Sequence, residues 1–356
     1  MDQDIKQWQR LALVFPGQGS QHVGMGRDLV REFQVARETY AEADEALGFA
    51  LSEMCFAGPS QELMLTANSQ PAILTTSIAM LRVVERETDL RPSFVAGHSL
   101  GEYSGLVCAG AVSFGDAVRA VHRRGQFMQE AVPVGEGTMA AVMALTSEEV
   151  EKLCEEAAGG DVLVAANYNS PEQTVIAGHT GAVERAVALA LERNALAEKL
   201  PVSAPFHCPL MEPAAARLAE VLREIDWHDS SVPVVSNVDA QPNTDAGRIA
   251  DLLVRQVTSP VRWSDCVQRM IDDGVLEFIE IGFGQTLSRL IHYINRSVQS
   301  SCIGTVEELR KRQGVKAGES ETGEHYDDGR QVLPDGRIVW PDGMVWNPNE
   351  PGAHGF

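Results

Sequence analysis

Residues 97–105 read GHSLGEYSG, at the end of PSFVAGHS and at the head of LGEYSGLVCAG. The first segment has the apolar run of a buried strand and the second the composition of a helix. A serine between Gly97 and Gly101 at such a junction sits on a sharp turn, where small neighbours let a strained backbone lift the hydroxyl clear. The amide of Leu100, at the start of the helix, then points toward any oxyanion that forms on Ser99. The pentapeptide alone is ambiguous, since serine hydrolases, acyl carriers and inert turns all contain it.

The rest of the chain supplies a setting for that turn. In 356 residues, aromatics make up only 6% while Ala, Gly, Val and Leu are plentiful. That balance suits helices packed on a parallel sheet, and the length allows one large α/β domain or two smaller ones. LALVFPG (11–17) reads as a buried strand stopped by Pro and Gly, and a helix is expected from Pro71, capped by Ser69. Residues 137–202 have a rhythm of their own, strand–helix–strand–strand–helix–strand, the βαββαβ order of a ferredoxin-like unit. The expected organisation is therefore a discontinuous large domain, 10–136 and 203–305, with 137–202 inserted as a subdomain. From 306 to 356 the chain turns acidic and rich in Gly and Pro. Its two PDG repeats (334–336, 341–343) suggest a small hairpin, within a segment that reads as a mobile or loosely docked tail.

A net charge of −21 argues against nucleic acid or an anionic membrane as partner. MDQDIKQWQR lacks the pattern of a secretory signal, and no apolar run approaches a membrane span. The six cysteines are scattered without paired spacing, so reduced thiols and a cytoplasmic location are expected. No metal-ligand spacing occurs, and no metal is expected.

Three further features carry chemistry. A serine hydroxyl needs a base, and among nine histidines His207 stands out in SAPFHCPLM, where prolines fix the chain on either side. His98 points away from Ser99 on an extended backbone and reads as structural. On the helix at about 115–131, Arg124 falls on the same face as Ala117, Ala120, Val121, Phe127, Met128 and Ala131, while Arg119 and Arg123 lie off it. An inward guanidinium must be paired, either by an internal carboxylate or by one that arrives with a substrate. In FPGQGSQ (15–21), two glycines expose the backbone around Gln18. No Walker lysine follows, so a second oxyanion donor fits better than a phosphate cradle.

Together FPGQGSQ, GHSLGEYSGL, RRGQFMQEAVP, NYNSPEQTVIAG, PFHCPLM and VRQVTSPVRW resemble, over residues 10–303, the malonyl-CoA:acyl carrier protein transacylases and related polyketide acyltransferases. The resemblance implies an α/β hydrolase-like domain with a ferredoxin-like insertion. It implies Ser99 as nucleophile, His207 as base and acid, and the carbonyl of Gln256 as the group that orients the histidine. The amides of Gln18 and Leu100 would form the oxyanion hole, and Arg124 would bind the malonyl carboxylate. Asn167, Asn169, Phe206 and Met128 would line the cleft, with Leu100 and Phe206 going with malonyl selectivity. The implied substrates are malonyl-CoA and a phosphopantetheinylated carrier protein, with no bound cofactor, and a monomer is expected. GFGQ at 282–285 departs from the family's GPGK. The competing readings are a trans-acting polyketide acyltransferase, a serine thioesterase or hydrolase, and a non-catalytic docking protein.

Overall fold

The computed structural model describes residues 11–202 and 204–314, with four two-residue strands beyond them. The chain divides into two compact units, 1–308 and 309–356. The first opens with β1 (Leu11–Phe15), helices α1 (Arg27–Glu32), α2 (Gln34–Leu47), α3 (Leu51–Ala57) and α4 (Ser60–Met64), and the long α5 (Thr66–Glu87). Next come β2 (Phe94–Gly97), α6 (Gly101–Cys108) and α7 (Phe114–Glu130). A second group follows: β3 (Gly137–Met143), α8 (Ser147–Ala158), β4 (Leu163–Ser170), β5 (Gln173–His179), α9 (Thr180–Glu192) and β6 (Leu196–Lys199). The chain then returns through α10 (Glu212–Arg223), β7 (Val234–Val235), β8 (Pro242–Asn243), α11 (Ala246–Thr258), α12 (Trp263–Asp272), β9 (Glu277–Ile281), α13 (Thr286–Ile294) and β10 (Gln299–Ile303).

The large sheet runs β10-β9-β1-β2-β7-β8, parallel throughout except for the β7–β8 pair. Every residue of β1 is buried, as a strand covered on both faces requires. On one side Trp263, Met270, Phe278 and Ile291 close a core between the sheet and α12 and α13. Each such side chain contributes about 1.5–3 kcal/mol by leaving water. The small sheet, β4-β5-β3-β6, is antiparallel and packs on α8 and α9 around Val142, Leu153, Ile176 and Val183. The amide of Tyr168 donates to the carbonyl of Val261, and that of Val261 to the carbonyl of Ala166, both at 2.9 Å. This bridge joins β4 to the segment that follows α11.

Gly97 and Gly101 face each other where β2 turns into α6. A Cβ on Gly97 would lie 1.9 Å from the backbone of Gly101, and one on Gly101 2.2 Å from the carbonyl oxygen of Phe15. Backbone atoms cannot give way like a flexible side chain. Gly97→Ala is expected to destabilise the protein by more than about 3 kcal/mol, read from urea unfolding; a change under about 1 kcal/mol would contradict the close approach.

Two expectations are corrected. The helix around Pro71 begins at Thr66, so the proline lies inside it and Ser69 does not cap it. Pro71 cannot donate to the carbonyl of Ala67, four residues earlier, and His122 Nδ1 takes that acceptor at 2.9 Å, which is how the helix tolerates the ring. His122 is thereby a structural histidine. The change of composition at 306 does not end regular structure, because α14 spans Val306–Arg312. Glu308 accepts from the amides of Gly304 and Thr305 and caps that helix.

In the second unit, β11 (Glu324–His325), β12 (Gln331–Val332), β13 (Ile338–Val339) and β14 (Val345–Trp346) pair in order as an antiparallel meander. β13 and β14 belong to the two PDG repeats. The turns themselves, and most of the residues on which a mobile tail was expected, lie outside the described residues.

Candidate active site

Ser99 occupies the strand-to-helix turn with φ 54°, a left-handed conformation that costs a serine on the order of 1 kcal/mol or more. Its neighbours enforce it. The Ser99 amide donates to Asn237 Oδ1 (2.7 Å), and Gln256 Nε2 donates to the Ser99 carbonyl (3.0 Å). Asn237 Nδ2 meanwhile donates to the carbonyl of Gly97 (2.8 Å), so one side chain clasps both sides of the turn.

The Ser99 hydroxyl lies 2.7 Å from His207 Nε2. On the far side of the ring, Nδ1 is 2.7 Å from the main-chain carbonyl of Gln256. A carbonyl can only accept, so Nδ1 carries the proton and Nε2 presents its lone pair to Ser99. His207 also has a positive φ, 59°. Burial, reinforced by the Arg124 charge, pushes its pKa down to about 3 against the raising effect of the Gln256 carbonyl. The imidazole is therefore neutral across the physiological range. Any reaction that uses Nε2 as a base is expected to show no acid limb from His207 between pH 8 and pH 5. Protonation of Nε2 removes the base, so the rate falls only as pH drops toward the depressed pKa. An acid limb at the 6.5 of an ordinary histidine, seen in single-turnover measurements, would contradict this environment.

Arg124 is buried on α7, 1% exposed. Nη1 donates to Gln70 Oε1 (2.8 Å), and Nη2 to Gln256 Oε1 (2.9 Å) and to Ser99 Oγ (3.0 Å). No carboxylate bonds it directly. The carboxyl group that joins this network is Glu102, 3% exposed, which accepts from Gln256 Nε2 (2.8 Å) and from the Asn237 amide (3.1 Å). Burial pushes the Glu102 carboxyl up to about 7, opposed by those donors. The guanidinium also lies over the Tyr103 ring, 5.9 Å from its centroid.

Ser99, His207 and Arg124 meet in a cleft of about 310 Å³ that Gln18, Asn167, Met128 and Phe206 also line. Met128 Sδ accepts from Gln70 Nε2 at 3.7 Å. The amides of Gln18 and Leu100 have no acceptor among the described residues. Asn169 stands apart. It lines an adjoining cavity, accepts through Oδ1 from His98 Nε2–H at 2.9 Å, and donates through Nδ2 to Gln173 Oε1. His98 thus has a partner in the small sheet.

Sequence reasoning did not find Gln70, Asn237 or Glu102. Gln70 and Glu102 are polar residues inside otherwise buried helices, and Asn237 follows a buried strand at the sheet end that carries Ser99. Those were the available signals. No group of His, Cys, Asp and Glu among the described residues could hold a metal ion, and no described helix is long and apolar enough to cross a membrane.

A parallel-rich α/β fold that presents a strained serine, a neutral histidine and a buried arginine defines a serine acyl-transfer enzyme. Residues 12–315 match the model of the acyl transferase domain, and the chain belongs to that family. It is 48% identical over 295 residues to a malonyl CoA-acyl carrier protein transacylase of Escherichia coli (strain K12), 83% of this chain and 96% of the relative. The corresponding protein of Bacillus subtilis (strain 168) is 46% identical over 302 residues, 84% and 95% of the two chains. Among solved structures, an acyl carrier protein S-malonyltransferase from Vibrio cholerae superposes with TM-score 0.83 at 45% identity, covering 86% of this chain and all of that one. A type II PKS acyl-carrier protein complexed with its malonyl-transacylase gives TM-score 0.84 at 42% identity, with coverage of 86% and 100%.

Proposed function

We propose that this protein transfers the malonyl group from malonyl-CoA to the phosphopantetheine thiol of an acyl carrier protein, supplying extender units for fatty acid synthesis. The observation that carries the reading is a single oxygen, Ser99 Oγ, within hydrogen-bond reach of both a neutral His207 and the buried Arg124. The first pairing makes a nucleophile. The second sets a cation where the free carboxylate of a malonyl thioester would lie.

In this mechanism Ser99 attacks the thioester carbon as Nε2 of His207 takes its proton, with Nδ1 steadied on the Gln256 carbonyl. The oxyanion is bound by the amides of Gln18 and Leu100, each such donor typically supplying about 3 kcal/mol of barrier lowering. His207 returns the proton to the coenzyme A sulfur, and malonyl-Ser99 remains. The carrier's thiol then enters, gives its proton to His207 and reverses the sequence. Arg124 grips the malonyl carboxylate by parallel hydrogen bonds. Leu100 and Phe206 favour malonyl over branched groups, and Asn167 and Met128 line the acyl cleft, with Asn169 at its margin. No cofactor enters either half-reaction.

We read the six-stranded sheet as an α/β hydrolase-like core interrupted by a ferredoxin-like subdomain at 137–202. The order β4-β5-β3-β6, with first and third strands central, supports that description. The protein acts as a cytoplasmic monomer in this reading. Supply of a polyketide carrier is the second reading, favoured by the likeness to the type II PKS complex, and it uses the same chemistry. Intact-mass measurement after mixing with malonyl-CoA tests both. A malonyl adduct on Ser99 that passes to a holo carrier is expected; free malonate in place of malonyl-carrier would establish a hydrolase instead.

A further inference from the structure

Arg124 touches the nucleophile itself. Its Nη2 donates to Ser99 Oγ at 3.0 Å, while its buried Nε has no hydrogen-bond partner. Ser99 therefore gives its one proton to His207 and accepts a charge-assisted bond from a buried cation. Such bonds are worth more than neutral ones, and they draw the engaged lone pair toward the donor. Attack on a thioester needs that electron density on Oγ and needs the oxygen to turn toward carbon. The Arg124 bond opposes both. The same positive charge also weakens His207 as a base.

We propose that Arg124 holds Ser99 in a state of low reactivity and that the carboxylate of the incoming acyl group releases it. A carboxylate offers two acceptor oxygens to a guanidinium whose Nε–H is unused, and it draws Nη2 away from Oγ. It also neutralises the charge that faces His207. A malonyl group thereby activates its own nucleophile, whereas an acetyl group, the same thioester without the carboxylate, meets a masked serine. Selectivity then resides in the rate of acylation as well as in binding. The step balances without a further reagent. The Oγ–C bond forms as the C–S bond breaks, the Ser99 proton passes through His207 to the thiolate, and the carboxylate is not consumed. The proposal rests on the reading of Ser99 as nucleophile and Arg124 as carboxylate site.

Splitting the malonyl group into two pieces tests it. The full-length protein is mixed with acetyl-CoA and increasing sodium formate, with sodium chloride as the ionic-strength control, and acetyl-Ser99 is followed by intact mass. Formate supplies the missing carboxylate. It is expected to speed acetylation saturably, on the order of tenfold, the low end of what one charge-assisted bond is worth. Arg124→Ala is expected to acetylate faster than the wild type without formate and to ignore formate. No acceleration by formate, or an equal one in Arg124→Ala, overturns the proposal. The wild-type arm needs no variant, so a misfolded Arg124→Ala does not rescue the idea. A parallel sample with malonyl-CoA separates the two levels: no malonyl adduct on Ser99 would instead remove the reading beneath it.

Discussion

Replacing Arg124 by alanine is expected to lower malonyl transfer by about 10²–10³-fold while acetyl transfer rises. Removing one partner of a buried charge pair typically costs about 2–5 kcal/mol, and each 1.4 kcal/mol is tenfold in rate. In the proposed malonyl complex, Arg124 is the cation opposite a carboxylate that has left water. With acetyl-CoA there is no such partner, and the same truncation only takes a donor from Ser99 Oγ and from the side chains of Gln70 and Gln256. Parallel kinetics with the two donors, read as kcat/KM, give the ratio. Equal losses with both would show that Arg124 acts on the architecture of the site and not on the acyl group.

The second large effect concerns His207. His207→Ala is expected to slow acylation of Ser99 by about 10³-fold, within the usual range for a positioned general base. Affinity for malonyl-CoA should persist, because the variant leaves Arg124 with its Gln70 and Gln256 contacts. Single-turnover mass measurement reads the chemical step, and equilibrium titration of Ser99→Ala/His207→Ala reads binding without turnover. A loss of less than tenfold in the chemical step would assign proton removal to another group.

Much of this site could be read from local patterns. GHSLG marked Ser99 as a candidate nucleophile by its strand–helix junction, although the pentapeptide alone left inert turns open. Helical spacing turned Arg124 inward, and it is buried on the apolar face as expected, while Arg119 and Arg123 are exposed. Prolines around His207 marked a fixed stretch of chain. What stayed hidden depends on contacts across long separations. Asn237 reaches Ser99 from 138 residues away and Gln70 reaches Arg124 from 54, and neither leaves a spacing signature. Glu102 stood within the motif itself, yet its partner Gln256 lies 154 residues away. Pro71 misled because proline usually opens a helix; here a histidine from a neighbouring helix took up the stranded carbonyl.

The anchor of His207 is a peptide oxygen, and that has a genetic consequence. No codon change at 256 deletes it, since every amino acid brings the same carbonyl. A loss-of-function screen will therefore return hits at Gln256 for the work of its side chain, which ties together Ser99, Glu102 and Arg124. The orienting bond itself will be silent in such a screen. It yields only to changes that move the backbone, such as a proline placed in the last turn of α11, or to replacement of the amide linkage by an ester through chemical synthesis.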